Sequence, residues 1–279
     1  MEKIRRYPTA LTIAGSDSGV CAGIQADLKT FSSLGVFVAS VITAITAQNT
    51  AEVRAVEVLS TEIIKKQLEA VLDDMIVDVI KTGMLPSIEI IELVASIIDK
   101  YNIPPGIVDP VMVATRGARL TSTSIVSAFS KYLFSRITLI TPNLPEAETL
   151  SGIQINSEKD IHTAANILLS QGCPAALIKG GHSQSPDSTD ILFTANTEPV
   201  RFSSPRINSC NLHGTGCTYS SAIAAYIALN HNMEDAIRLA KNYISSAIST
   251  EKDILTGKGY DPINHFFEPQ SLKIKRYED

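Results

Sequence analysis

The stretch ALTIAGSDSGVCAGIQADLKTFSSLGVFVASVITAIT, residues 10–46, decides the fold. ALTIAG (10–15) is a short apolar run that Ser16 and Asp17 close, the pattern of a buried strand. AGIQADLKTFSSLG (22–35) repeats Ile24, Leu28, Phe31 and Leu34 at three- and four-residue spacing and stops at Gly35, which predicts a helix. VFVASVITAIT (36–46) is again continuous and β-rich. Strand, helix, strand is the unit from which a parallel sheet with covering helices is built.

The remainder repeats that alternation. Strands are predicted at 53–59 (toward an edge) and 78–83, a strand followed by a turn in each of 106–112, 137–143 and 175–182, and a hairpin at 190–195 and 199–204. Ser60 caps a helix running to about Met75, and further helices are predicted over 87–101, 122–134, 158–171, 215–229 and 233–251. No linker, repeat or low-complexity tract interrupts the series, so the expectation is a single α/β domain over residues 1–279, its sheet largely parallel with helices on both faces. Such sheets bind ligands beyond the carboxyl ends of their strands. The polar turns fall there: Gly15-Ser16-Asp17, Thr82-Gly83-Met84, Asp109-Pro110, Pro142-Asn143 and Gly180-Gly181-His182. These five turns are expected to converge on one face.

With 279 residues, 44% of them hydrophobic, the chain can bury a substantial core. Its net charge of −5 is spread without a basic stripe, which disfavours nucleic acid and anionic membrane as partners. The apolar run after the basic N-terminus ends at Gly15, too short for a signal segment, and no run approaches a membrane span. Cys21, Cys173, Cys210 and Cys217 are irregularly spaced and form no C-x-x-C, so reduced thiols and a cytoplasmic location are expected.

Near the C-terminus, NLHGTGCTYSSAIAA (211–225) sets Gly214-Thr215-Gly216-Cys217 at the start of a helix. Backbone N–H groups there can meet an anion, and the helix dipole favours thiolate at Cys217, predicting a lowered pKa. A plain glycine turn before a packed helix is the other reading. The chain lacks G-x-x-x-x-G-K-[ST], and Tyr219 stands where a dinucleotide fingerprint needs a small residue, so P-loop and Rossmann chemistry are disfavoured. Asn143 and Glu146 have capping-box spacing, yet a carboxylate at a strand's carboxyl end can also hold magnesium. Asp109 is open to the same two readings. Lys179 is either a solvated strand end or a phosphate contact, and Gln48 either reads a heterocycle's edge or ends its strand. His213 reads as a turn residue; a Cys217–His213 hydrolase dyad across a glycine turn has poor geometry.

Taken in order, LTIAGSDS, AGIQADLKTF, SVITAITAQNT, KTGML, VDPVM, TPNLPEA, KGGH and HGTGCTYSSAIAA resemble the hydroxymethylpyrimidine/phosphomethylpyrimidine kinases of thiamine biosynthesis, in the ribokinase-like superfamily. The resemblance runs from about Leu11 to His265. It implies a three-layer α/β sandwich and an enzyme using ATP and Mg²⁺. That enzyme phosphorylates 4-amino-5-hydroxymethyl-2-methylpyrimidine and then the resulting monophosphate; a homodimer is expected. A pyridoxine/pyridoxal kinase of the same cysteine type is the alternative, and a non-catalytic pyrimidine-binding protein a third.

By the same resemblance Cys217 is the base, in the position where many superfamily members carry aspartate, and Gly214, Thr215 and Gly216 form the anion hole. Gln48 reads the pyrimidine; Gly15, Ala22, Asp27, Met84 and Val111 line its pocket, with Asp27 meeting the hydroxyl. Asp109, Asn143, Glu146 and Lys179 serve the nucleotide, Asp109 and Glu146 on the magnesium side. Two departures stand out. Gly19-Val20-Cys21 replaces the family's usual Ser-Gly-Gly, and Tyr260-Asp261 replaces a more usual His-Gly before Pro262.

Overall fold

A computed structural model describes residues 5–103, 106–112, 125–181, 186–209, 211–252 and 254–276. Its strands are β1 (Arg5–Arg6), β2 (Thr9–Asp17), β3 (Phe37–Gln48), β4 (Val53–Val58), β5 (Val79–Thr82), β6 (Gly106–Val108), β7 (Ile137–Ile140), β8 (Ala175–Ile178), β9 (Asp187–Thr194), β10 (Val200–Pro205) and β11 (Lys275–Arg276). The helices are α1 (Gly23–Ser33), α2 (Thr61–Leu72), α3 (Ile88–Tyr101), α4 (Ile125–Ala128), α5 (Leu144–Ser151), α6 (Glu158–Ser170), α7 (Thr215–Ala228) and α8 (Met233–Ser249). One nine-stranded sheet has the order β10-β9-β8-β7-β6-β5-β2-β3-β4, and β1 pairs separately with β11. The six strands from β8 to β3 are mutually parallel; β4, β9 and β10 add antiparallel edges.

The period-2 alternation of the central strands divides the core. Leu11, Ile13, Ile80, Val108 and Ile140 face a layer that includes α2 and α3. Their neighbours Ala10, Val79, Ile107 and Leu139 face α1, α7 and α8. Ile178, Ile191 and Phe193 pack with α5 and α6 at the far end. Strands buried on both faces read as unbroken apolar runs, which is why the sequence shows them so plainly. Ser60, Ser87, Ser157 and Asn232 each accept the third helical N–H of the helix they precede, a contact worth about 1 kcal/mol.

The expected alternation, hairpin and edge strand are present, and the expected layered sandwich is formed. Three details differ. The helix after Ser60 ends at Leu72, short of Met75. The expected helix over 122–134 begins outside the described residues; from Ile125 it is one short α turn running into a π-helical turn at Phe129–Leu133 and a 3-10 turn at Phe134–Arg136. An additional helix, α5, follows β7, started by Asn143 and by Pro145 in its first turn. Among the described residues no helix is long and apolar enough to cross a membrane.

Candidate active site

The carboxyl ends of β2, β5, β6, β7 and β8 lie side by side, and the polar turns converge there as expected; His182 and Cys210 fall outside the described residues. Asp109 follows β6 and Lys179 follows β8, and they meet with Nζ 2.9 Å from Oδ1. Thr141 at the end of β7 donates its hydroxyl to the same oxygen at 3.3 Å. Burial pushes the Asp109 carboxyl up, but the Lys179 and Lys81 ammoniums outweigh it and hold it below the usual range. Burial pulls Lys179 down, and the Asp109 and Glu146 charges more than restore it.

Glu146 performs the capping half of its two readings. Its Oε2 accepts the Asn143 N–H at 2.8 Å while Asn143 Oδ1 accepts the Glu146 N–H at 2.9 Å. Burial, with repulsion from Asp109, drives its carboxyl up to about 7 against the pull of Lys179 and the Asn143 N–H. The arrangement leaves the second reading open too, since two carboxylates that repel each other beside one ammonium suit a further cation.

The glycine turn closes the site from above. Gly214 has φ +79° and precedes α7. A Cβ on it would lie 1.8 Å from the Cys21 carbonyl oxygen, so no other residue fits. A Cβ on Gly216 would stand 3.5 Å from Lys179 Nζ and 3.8 Å from Asp109 Oδ2, which places the start of α7 directly against that ion pair. Helix geometry leaves the first-turn N–H groups without intrahelical acceptors; that of Thr215 donates to the Leu212 carbonyl at 3.3 Å, and those of Gly216 and Cys217 follow it. Thr215 turns its hydroxyl back to the Leu212 carbonyl at 3.0 Å and so shapes the turn.

Cys217 sits in this first turn, half-buried. Its expected low pKa is not found: the thiol is pushed up to about 12. Burial is the main cause and the Asp109 and Asp27 carboxylates add to it, while Lys81 and the Gly23 N–H act the other way. The dipole effect that motivated the expectation is a surface-scale influence of about 0.3–1 kcal/mol, smaller than desolvation of a thiolate among carboxylates.

Asp27 also departs from its expected place. It is fully buried, with Oδ1 accepting from Lys81 at 2.8 Å and Ser221 at 2.7 Å, and Oδ2 accepting from Thr12 at 2.6 Å and Lys81 at 2.9 Å. All its strong acceptor positions are used by the protein, so it does not line the pocket as a free acceptor for a hydroxyl. Lys81 was missed in the sequence. Its signal was a lysine inside the buried run DVIKTG, and a lysine in such a place needs a carboxylate partner.

The remaining residues come from the carboxyl ends of β2, β3, β5 and β6. A Cβ on Gly15 would touch Met84 Cε at 2.9 Å. Val111, half-buried, donates its N–H to the Asp109 carbonyl at 2.8 Å. Asp17 organises the Gly19-Val20-Cys21 loop: its carboxylate accepts the N–H groups of Gly19, Cys21 and Ala22 at 2.8, 3.1 and 2.9 Å. Val20 is held at φ +62°, a rare conformation for a β-branched residue, with Lys29 Nζ 2.9 Å from its carbonyl. Gln48 places its amide nitrogen 2.9 Å from His213 Nε2 and 3.4 Å from Asp17 Oδ2. His213 is thus more than a turn residue; it is buried and ties the glycine turn to β3. The Asp261 backbone supports it, its carbonyl accepting the His213 N–H at 3.4 Å.

A thiamine biosynthetic bifunctional enzyme of Arabidopsis thaliana is 45% identical over 98% of this chain and 53% of its own. A hydroxymethylpyrimidine/phosphomethylpyrimidine kinase of Bacillus subtilis is 44% identical over 96% of this chain and 98% of its own. This chain thus spans about half the length of the first curated relatives it matches and nearly all of the B. subtilis kinase. Among solved structures, a B. subtilis pyridoxal kinase in complex with ADP superposes with TM-score 0.85 at 36% identity, covering 93% of this chain and 98% of that one. The ribokinase-like architecture is therefore shared. The family model for phosphomethylpyrimidine kinase matches residues 17–264, a span that takes in both the Asp109–Lys179 pair and the Cys217 turn, and the chain belongs to that family.

Proposed function

We propose that the chain is a kinase that transfers the γ-phosphoryl group of ATP to the hydroxymethyl oxygen of 4-amino-5-hydroxymethyl-2-methylpyrimidine, and then phosphorylates the monophosphate. One observation carries the reading. The N-terminal turn of α7, with Cys217 in it, stands within about one side chain of the Asp109–Lys179 pair. That sets anion-binding amides, a fixed ammonium and a proton acceptor around one point. Phosphoryl transfer needs positioning and charge stabilisation above all.

In this reading Lys179 and the first-turn amides of α7 hold the phosphates and meet the charge that develops during transfer. Each such donor is worth roughly 10²–10³-fold in rate. Gln48, Gly15, Ala22, Met84 and Val111 hold the ring, and Cys217, once its thiol has released its own proton to solvent, takes the hydroxyl proton as the thiolate. Asp109 and Glu146 would hold magnesium, which supplies positive charge at the phosphates and offsets the Asp109 charge that disfavours thiolate at Cys217. Lys81 is the fixed positive charge near the thiol, and Asp27 serves as its buried partner, not as a substrate contact.

The reading extends to a single domain and a homodimer acting in the cytoplasm; sedimentation at micromolar concentration tests the dimer. The superposition on pyridoxal kinase favours one competitor, phosphorylation of pyridoxal. A coupled ADP-release assay with the pyrimidine alcohol, its monophosphate and pyridoxal separates them. The pyrimidines are expected to have the higher kcat/KM. A clear pyridoxal preference overturns the substrate, and ring binding without ADP release overturns the kinase itself.

A further inference from the structure

Beside the proposed phosphoryl-transfer point, the loop after β2 and the turn before α7 bring together three side chains with no part in that chemistry. Asp17, Cys21 and His213 are all buried, and their ligand atoms lie within 4.8 Å of one another. They come from two segments far apart in sequence, joined only in the fold. Asp17 Oδ2 is already 3.5 Å from His213 Nε2. In a tetrahedral zinc site with bonds of about 2.0–2.3 Å, donor atoms are about 3.3–3.8 Å apart. The first pair therefore has the required separation, and the thiol, which lies within 4.8 Å of both and donates to the Gly19 carbonyl at 3.1 Å, needs a shift of at most about 1 Å to join it.

A second observation marks where the ion would sit. The Gln48 amide nitrogen, a donor only, lies 2.9 Å from His213 Nε2 and 3.4 Å from Asp17 Oδ2. Its two N–H groups stand in for a cation between two acceptors. In the tautomer that carries its proton on Nδ1, His213 accepts from that nitrogen at Nε2 and presents a lone pair there. Rotating the amide by half a turn would replace the nitrogen with Oε1, a ligand atom. The Asp261 carboxylate lies close enough to add to the negative field at Cys21, with Lys29 the opposing charge.

We propose that Asp17, Cys21 and His213, with Gln48 as fourth ligand, form a site for a thiophilic divalent cation of the zinc class. A carboxylate, a thiolate and a neutral imidazole give two negative charges, which a divalent ion balances. Binding forms the metal–sulfur bond as the S–H bond breaks, and the proton goes to solvent. Cys21 stands in the loop that the Asp17 carboxylate organises through the N–H groups of Gly19, Cys21 and Ala22. Occupancy would fasten the loop to the glycine turn and take Gln48 from the ring. On the functional reading above, the ion would then inhibit competitively with the pyrimidine; the binding itself does not depend on that reading.

The test uses the full chain and cobalt(II) as a spectroscopic zinc substitute, titrated without nucleotide. The expected result is one equivalent bound with a near-ultraviolet thiolate-to-cobalt band, displaced by zinc. The band should persist in Cys217→Ala and vanish in Cys21→Ala, with affinity lowered at least 10-fold in His213→Gln. Circular dichroism and a thermal melt establish that the variants fold. No band in the folded wild-type chain, or a band that survives Cys21→Ala, overturns the site. Competitive zinc inhibition lost in Cys21→Ala supports the link to the ring; stoichiometric binding without inhibition removes that link and leaves the site standing.

Discussion

Cys217 is where the chemistry and the electrostatics oppose each other. Its thiol is pushed up to about 12, first by burial and then by Asp109 and Asp27. A base of that kind is strong when ionised and rarely ionised near neutrality, so kcat/KM should climb with pH through and beyond pH 9. Cys217→Ala should lose roughly 10²–10⁴-fold in kcat with pyrimidine binding nearly unchanged. Cys217→Asp should recover part of the loss and flatten the alkaline limb, because a carboxylate is already ionised there. An unchanged limb in Cys217→Asp would assign the titration elsewhere. Glu146 gives a second pH test, in stability. Its carboxyl rises from an ordinary 4.5 to about 7 on folding. Below about pH 4.5 it is neutral in both states. Between there and 7 only the unfolded chain releases the proton, so stability falls as pH rises and stays lowered above. The full difference is of order 3 kcal/mol. Glu146→Gln, which keeps a capping acceptor, should therefore be more stable than the wild type at pH 8 by about 1–3 kcal/mol and equal to it at pH 4, read from urea midpoints without magnesium. At this scale the sequence was legible where a motif places the backbone: Asp109, Lys179, Glu146 and the glycine turn all meet. It was illegible where a side chain's fate depends on a distant partner. Nothing in AGIQADLKTF shows that Asp27 is met by Lys81, 54 positions on.

Between residues and the whole lie the contacts that fix one element against another. Lys241 of α8 reaches Asp190 of β9 at 2.7 Å, and the other oxygen of Asp190 accepts the Gly180 N–H at 2.9 Å. Both side chains are buried, so a helix on one face of the sheet sets the turn that follows Lys179. Lys241→Met would leave Asp190 buried and unpaired, which typically costs about 3–5 kcal/mol. The expected result is a lower urea midpoint together with a KM for ATP raised more than the KM for the pyrimidine. Equal rises would mean that the tie supports the fold and not the nucleotide side. The elements themselves were largely readable because parallel strands buried on both faces are continuous apolar runs and the long helices carry a clear stripe. The exceptions have physical reasons. α5 is only eight residues long, and its start was visible solely as the Asn143–Glu146 cap. The segment from Ile125 has helical spacing, but its backbone passes through a π-helical turn and a 3-10 turn, which hydrophobic periodicity alone does not distinguish from an α-helix.

At the scale of the molecule the question is whether the two sides of the site belong to one folding unit. The residues proposed to serve the nucleotide follow β6, β7 and β8, those proposed to hold the ring lie in or after β2, β3, β5 and β6, and all six are strands of one sheet. α7 packs on β2, β5 and β6 and against both α1 and α8, so it bridges the two sides as well as bearing Cys217. Dividing the chain at any of these strands would expose apolar surface on both faces of the sheet, because the alternating side chains feed two cores at once. The free energy of that exposure, about 25 cal/mol per Å², opposes a half-folded state. A single cooperative transition is therefore expected, with calorimetric and van't Hoff enthalpies equal, although many chains above 150 residues populate intermediates. Ligands sharpen the test. A pyrimidine at 100 times its Kd should add about 2.7 kcal/mol and shift the whole transition upward, and a nucleotide analogue should do the same. Two transitions, one answering to each ligand, would divide the chain into separate units and place the site at their border.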